Sequence, residues 1–449
     1  MTRHRFTRHA FTRRAFLEAG ALAASATILS GCAGRSMKAR TPLIDARSLA
    51  FLRELALATI ESARVRPGES RSGAGPNSTG MTLITPGGNY PALWTRDFAM
   101  SLDCGLIGAE EIRSHLELIA RCQNGERERR LASGAILPAF AIVDHVNLAG
   151  GAVFYPGTYS SGEDQGAPPW GPLPPIDDHF YFIHIAHALW RNGGQPGFLL
   201  ERLEGAFHSP GCDRETGAAL ATKERRAVGF GFQDSVYLLG SMSFATLLRW
   251  RAARQLAQLC AAVGKRAAAV AYMSEAEKIA AHLVPVFGDA EKRDGWLLAA
   301  TEVGRQPDVW ATLFALHLRV LPDEAAQRAR ETVAAAVRAP GNTIEYQGAV
   351  RHVPSDRTFK TDQCWESGGS ALNTYQSGAY WHTPTGWLIE ALDELDAPLA
   401  REVCERFLRH LREVAGAPWE CFGLEMAGAQ NPVYMTSVTL PLAVLQKLA

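Results

Sequence analysis

Two acidic residues stand in aromatic, glycine-containing stretches suited to proton transfer. Asp234 lies in Gly229-Phe230-Gly231-Phe232-Gln233-Asp234-Ser235-Val236-Tyr237, where glycine lets the backbone turn tightly and aromatic rings can exclude water and raise a carboxyl pKa. That spectrum of neighbours fits a general acid. An Asp just before an apolar, helix-like run also fits a plain N-cap. Glu420 lies in Pro418-Trp419-Glu420-Cys421-Phe422-Gly423, a setting for the complementary base. Glu366 is its rival, in the acidic aromatic loop Lys360-Thr361-Asp362-Gln363-Cys364-Trp365-Glu366-Ser367-Gly368. Acid and base at one pH require two carboxyl groups in unlike surroundings.

These stretches recur in a pattern. Apolar residues at helical spacing predict plain amphipathic helices over 49–63, 110–122, 198–206, 265–286, 323–339 and 399–414. Between them, loops rich in aromatics, glycine and acids deliver the chain to a second set of helices. The loops end at Trp94-Thr95-Arg96-Asp97, Asp177-Asp178, Phe232-Gln233-Asp234, Gln306-Pro307-Asp308-Val309-Trp310, Gln376 to Pro384, and Pro418 to Gly423 before a last helix from Tyr434. About a dozen helices with almost no alternating strand predict an all-α toroid, with six decorated helices inside and six plain ones outside. An open solenoid would use shorter, more uniform repeats. Long loops at one rim would then carry the function.

Trp94-Thr95-Arg96-Asp97, Gly231-Phe232-Gln233-Asp234-Ser235, Gly378-Ala379-Tyr380-Trp381-His382-Thr383-Pro384 and Trp419-Glu420 follow one another in the order found in six-hairpin glycosidases. The chain resembles the (α/α)6 catalytic domains of trehalases, processing alpha-glucosidases and glycogen-debranching-type glucosidases over about residues 46–449. The resemblance implies an inverting glycoside hydrolase, exo-acting on glucosides or related oligosaccharides, with Asp234 as general acid and Glu420 as general base. Such inversion needs carboxyl groups on opposite faces of the sugar, with room for water. It further implies that Arg96 and Asp97 bind the reactive sugar, the carboxylate accepting from adjacent hydroxyls and the arginine donating; a buried ion pair at a helix start is the alternative. Trp94, Trp310, Trp365 and Trp381 are candidate stacking platforms. Asp178, Gln233, Asp308, Asp362, Glu366, Tyr380 and His382 are candidate rim residues, with Asp178 and Asp308 fitting N-caps equally well. Gln233 and His382-Thr383-Pro384 depart from the family pattern, which bears on the substrate rather than the fold.

Unsaturated glucuronyl hydrolases and sugar phosphorylases share this toroid, and a non-catalytic glycan-binding lipoprotein is a further alternative. A uronate or phosphate would want added cations, and Arg96 is the one strong basic candidate at the rim. The formal net charge is zero, so nucleic acid is not an expected partner and a neutral oligosaccharide or glycoside is. The cysteines show no Cys-x-x-Cys or Cys/His cluster, which argues against zinc or an iron–sulfur cluster, and most should be buried thiols with room for one or two bridges. The glycosidase resemblance implies that neither a metal nor an organic cofactor is required.

At the N-terminus, Thr12-Arg13-Arg14-Ala15-Phe16-Leu17 precedes an alanine-rich apolar run ending at Leu29-Ser30-Gly31-Cys32. This resembles a twin-arginine export signal with a lipobox over residues 1–32, followed by a linker over 33–45 and the catalytic domain over 46–449. Cys32 would be acylated, leaving a monomeric enzyme tethered outside the cytoplasm by its lipid alone, in the periplasm or at the cell surface.

Overall fold

In the computed structural model, residues 42–166, 170–289, 294–341, 344–354, 373–414 and 417–449 are described. Twelve α-helices run through them: α1 (Ala46–Ala63), α2 (Thr95–Met100), α3 (Ala109–Cys122), α4 (Asp177–Arg191), α5 (Leu200–His208), α6 (Ser243–Ala262), α7 (Arg266–Phe287), α8 (Val309–His317), α9 (Asp323–Arg338), α10 (Thr385–Asp393), α11 (Ala397–Glu413) and α12 (Thr436–Leu445). Even-numbered helices pack side by side in the order α2, α4, α6, α8, α10, α12, and α12 returns to α2, closing a ring. Odd-numbered helices wrap it: α1 on α12, α3 on α4, α5 across α4 and α6, α7 along α6, α9 across α8 and α10, and α11 on α10. The predicted all-α toroid is the observed architecture.

Side-chain chemistry separates the two rings. α11 buries Leu399, Val403, Phe407 and Leu411 on one stripe while Glu402, Glu405 and Arg409 face water. Each of those burials stabilises by about 1.5 to 3 kcal/mol. Three of the inner helices have no such polar face along most of their length. Asp177 through Leu189 of α4, Val309 through Leu316 of α8 and all of α12 are buried, as expected of helices enclosed on every side.

The loops that feed the inner ring are tied together by strands of two or three residues. Ala92–Trp94 pairs antiparallel with His145–Asn147, setting Trp94 opposite His145, and His145–Asn147 pairs in turn with Ala152–Val153. This sheet carries Asp144 to the start of α2. Leu220–Ala221 pairs with Gly240–Ser241, and that pairing stands between Asp234 and α6. Asp234 is therefore no helix N-cap: it closes a 3-10 turn over Gly231–Gln233 with φ −69° and ψ −22°, and α6 begins only at Ser243.

Cys104, Cys122, Cys212, Cys260, Cys404 and Cys421 are free thiols. No His/Cys/Asp/Glu group among the described residues is arranged to hold a metal ion. No helix among them is long and apolar enough to cross a membrane. The export and lipidation residues, Cys32 included, lie outside the described residues.

Candidate active site

Asp234 and Glu420 line one cavity of about 150 Å³, together with Tyr90, Trp94, Arg96, Asp97, Tyr159, Phe232, Tyr375 and Tyr434. Asp234 enters from the loop before α6 and Glu420 from the loop before α12. In a closed ring of six inner helices those two positions are opposite each other. A long linear separation thus becomes a facing pair.

Glu420 is 2% exposed. The hydroxyl of Tyr90 donates to it, 2.9 Å from Oε1 and 3.0 Å from Oε2, and Asn431 Nδ2 donates to Oε2. Burial, and then the charge of Glu420, push the Tyr90 hydroxyl well above its ordinary pKa, so it stays a donor. Gly87 makes this meeting possible. Its φ is +100°, and a Cβ there would stand 2.2 Å from the carbonyl oxygen of Val433, so only glycine lets the Tyr90 loop pass so close to the segment carrying Asn431.

Asp234 is partly exposed, and its Oδ1 accepts from Gln376 Nε2 at 2.8 Å. Phe232 packs beside it in the cavity wall, its ring 5.5 Å from that of Trp381 and 6.4 Å from that of Tyr434. The two carboxyl groups therefore differ: Asp234 is partly exposed at the cavity and accepts from the Gln376 amide, whereas Glu420 is buried and accepts from a phenol and an amide.

Arg96 is buried, with Nε 2.9 Å from Asp177 Oδ2 and Nη2 2.6 Å from Asp144 Oδ1 and 2.7 Å from Asp178 Oδ2. Asp177 Oδ2 also accepts the backbone N–H of Gly231 at 2.9 Å, which couples the arginine to the acid loop. One cation cannot neutralise three buried carboxylates. Burial opposes charge on Asp144, but Arg96 and the His145 ring outweigh it and hold that carboxyl at about 2. For Asp177 and Asp178 burial wins over Arg96: the first is raised and the second lies well above the carboxylate range. Asp97 is raised to about 6 by burial, against the opposing Tyr434 hydrogen bond and Arg96. Its Oδ1 accepts from the Tyr434 hydroxyl.

Of the residues singled out in the sequence, Asp234, Glu420, Trp94, Arg96 and Asp97 converge on the cavity. Trp94 is held there by His145, which stacks on it at 4.5 Å and is itself fixed by Asp144 Oδ2 at 2.7 Å from Nδ1. The others are placed differently. Asp178 is neither at the rim nor an N-cap; it is fully buried behind Arg96 in the first turn of α4. Gln233 spends its amide on Asp308 Oδ2 at 2.9 Å, and Asp308 caps α8 through Ala311 N at 2.9 Å. Trp310 and Trp381 are fully buried and pack on each other and on His352, so neither offers a face to a sugar. Tyr380 belongs to a small core with Ala349 and Phe422. His382 is 1% exposed among Phe407, His410 and Phe422. Glu366, Asp362 and Trp365 lie outside the described residues.

Tyr90, Asn431, Asp144 and Gln376 carry no motif of their own. Two of them left a trace: Tyr90 stands four residues before Trp94 in the same conspicuous stretch, and Gln376 opens the decorated loop that runs to Pro384. Two larger hollows among the described residues bring no pair of carboxyl groups together. The one beside Trp296 and Arg328, about 550 Å³, is lined by Val284 and Pro285 of α7, Leu321 just before α9, and Ala325 of α9.

No protein-family model matches the chain, and no curated protein matches it. Solved structures do. GH63 mannosylglycerate hydrolase from Thermus thermophilus in complex with glucose is similar over 87% of this chain and 99% of its own, at 13% identity and a TM-score of 0.56. A rhamnosidase from Klebsiella oxytoca with rhamnose bound is similar over 91% of this chain at 12% identity and a TM-score of 0.54, and this chain spans 65% of its length. A GH78 family rhamnosidase of Bacillus sp. GL1 matches 88% of this chain and 34% of its own, at 12% identity and a TM-score of 0.52. The toroid described above is thus a fold that this chain shares with solved glycosidases.

Proposed function

We propose that the protein is an inverting glycoside hydrolase acting on neutral glycosides from a chain end, with Asp234 as general acid and Glu420 as general base. The observation that carries this reading is the meeting of those two carboxyl groups, from opposite positions of the inner ring, in one cavity. Asp234 protonates the departing oxygen. Glu420, oriented by Tyr90 and Asn431, takes a proton from the water that attacks the anomeric carbon. The cavity bounded by the described residues, about 150 Å³, is on the scale of one sugar ring, and exo-action is part of this reading. Asp97 and the Trp94 face are placed to bind that ring, with glucosides or related oligosaccharides as the first candidates.

A uronate or phosphate substrate fits this cavity poorly. Arg96, the cation that lines it among the described residues, is already engaged by Asp144, Asp177 and Asp178. The surrounding carboxyls would repel a further anion. That favours hydrolysis of neutral sugars over glucuronyl hydrolysis or phosphorolysis.

The test is a glycoside panel with proton NMR of the anomer first released. Inversion is expected, and both Asp234→Asn and Glu420→Gln should abolish turnover of unactivated substrates. A first product of retained configuration would refute the acid and base assignment. Wild-type silence across the panel, with sugar binding intact, would favour a glycan-binding protein. The twin-arginine and lipobox pattern supports lipid tethering outside the cytoplasm, and loss of palmitate incorporation in Cys32→Ser would test the anchor.

A further inference from the structure

We propose that Gln376 is a positioning residue that assigns the proton of Asp234 to Oδ2 and keeps that proton transferable. The inference rests on the reading of Asp234 as the general acid.

Gln376 is fully buried in the 3-10 turn Tyr375–Ser377, in the loop that feeds α10. Its Oε1 accepts from the backbone N–H and the hydroxyl of Ser235, each at 2.8 Å. Its Nε2 donates to the carbonyl oxygen of Gly231 at 3.3 Å and to Asp234 Oδ1 at 2.8 Å. The two ends of an amide look alike in shape, but here the backbone decides between them. A backbone N–H only donates and a backbone carbonyl only accepts, so the amide has one consistent orientation. The atom facing Asp234 Oδ1 is therefore an N–H donor.

That donor sorts the two oxygens of the acid. In a protonated carboxyl the carbonyl oxygen is the better acceptor, so Oδ1 takes that role and the hydroxyl falls on Oδ2. The same bond favours the ionised form over the neutral one, which lowers the cost of giving the proton away. Gln376 also grips Ser235 and Gly231, the residues on either side of the turn. The acid's position and its proton are thus set by a side chain 142 residues further along the chain.

Two variants test this. Gln376→Met keeps the length and removes the donor; Gln376→Glu keeps the acceptor for Ser235 and puts a second carboxyl beside Oδ1. The first readout is the carbon-13 carboxyl titration of Asp234, its signal identified by loss in Asp234→Asn. Gln376→Glu should raise that pKa by about one unit or more, by like-charge repulsion and loss of the N–H donor. The alkaline limb of kcat/KM should move with it.

The second readout compares leaving groups. On the methyl glycoside of the sugar released by the wild type, Gln376→Met should lose about 100-fold in kcat with KM little changed, the scale of misplaced acid catalysis. On the glycosyl fluoride, whose leaving group needs little protonation, it should match the wild type. An unmoved Asp234 titration in Gln376→Glu, or equal losses on fluoride and methyl glycoside, would overturn the proposal and leave Gln376 as a structural buttress. If Asp234→Asn itself hydrolyses the methyl glycoside at the wild-type rate, the acid assignment fails and this inference with it. Should Gln376→Met not fold, the titration in Gln376→Glu decides alone.

Discussion

The hydroxyl of Tyr90 lies 2.9 Å from Oε1 and 3.0 Å from Oε2 of Glu420, although the two residues are 330 positions apart. The phenol and the Asn431 amide together orient the carboxylate, and Gly87 lets the two backbone segments pass closely enough for them to meet there. Tyr90→Phe keeps the ring and removes the donor. A hydrogen bond to a charged group contributes about 1.5 to 3 kcal/mol, so kcat should fall about 10- to 100-fold. The ring still packs on Trp94 and Tyr434, so the thermal midpoint should stay close to that of the wild type. A large fall in the midpoint with a proportionate loss of activity would show instead that the phenol serves folding.

Arg96 tests the opposite case, a residue on the cavity wall whose first role is structural. Removing it in Arg96→Met leaves Asp144, Asp177 and Asp178 without their shared cation. Breaking one side of a buried ion cluster costs about 3 to 5 kcal/mol. Urea unfolding should show that loss whether or not substrate is present. Arg96→Lys should also be poor, because an ammonium cannot reproduce the fork that reaches three carboxylates. Wild-type stability in Arg96→Met would mean that the carboxylates are held by other donors.

Gly231 lies between these two systems. A Cβ added there would stand 2.0 Å from Arg96 Nε and 2.2 Å from Cζ, and the guanidinium is pinned by its carboxylates. Gly231→Ala should therefore destabilise by about 1 to 3 kcal/mol, the usual cost of overpacking. Activity should fall by more than that loss explains, because Gly231 opens the turn that ends at Asp234. Activity per folded molecule, measured well below the unfolding midpoint, separates the two effects.

The toroid was readable because its signals are local. Outer helices announce themselves by apolar spacing, as in Leu399, Val403, Phe407 and Leu411, and inner ones by the aromatic loops before them. The proposed acid and the proposed base were conspicuous for the same reason, each being a carboxyl among aromatics and near glycine. Orientation was not readable. Trp310, Trp381 and His382 share the composition of a sugar site, yet the same apolar surface that suits a sugar face also suits a core, and burial decided for the core. Asp178 looked like a cap because it stands beside a helix start, but Arg96, brought from 82 positions away, claims it. Asp144 and Asn431 were missed since only strand pairing and a glycine crossing bring them to the cavity.

Asp308 offers a prediction that depends on folding alone. It is fully buried, caps α8 and holds Gln233. Burial raises its pKa from 3.8 to about 6, against the opposing hydrogen bonds. The folded chain therefore binds this proton more tightly than the unfolded chain. As pH rises from about 4 to 6 the unfolded state releases it first, and stability falls through that window. The loss from this group amounts to about 3 kcal/mol by pH 7. Asp308→Asn has no charge to bury and keeps an N-cap acceptor, and Gln233 can turn its amide to accept from the new one. The variant should match the wild type near pH 4 and exceed it near pH 8, with a flatter dependence of the urea midpoint on pH. Parallel curves for the two proteins would show that the carboxyl is already ionised in the fold at low pH, and that the cap alone accounts for its place.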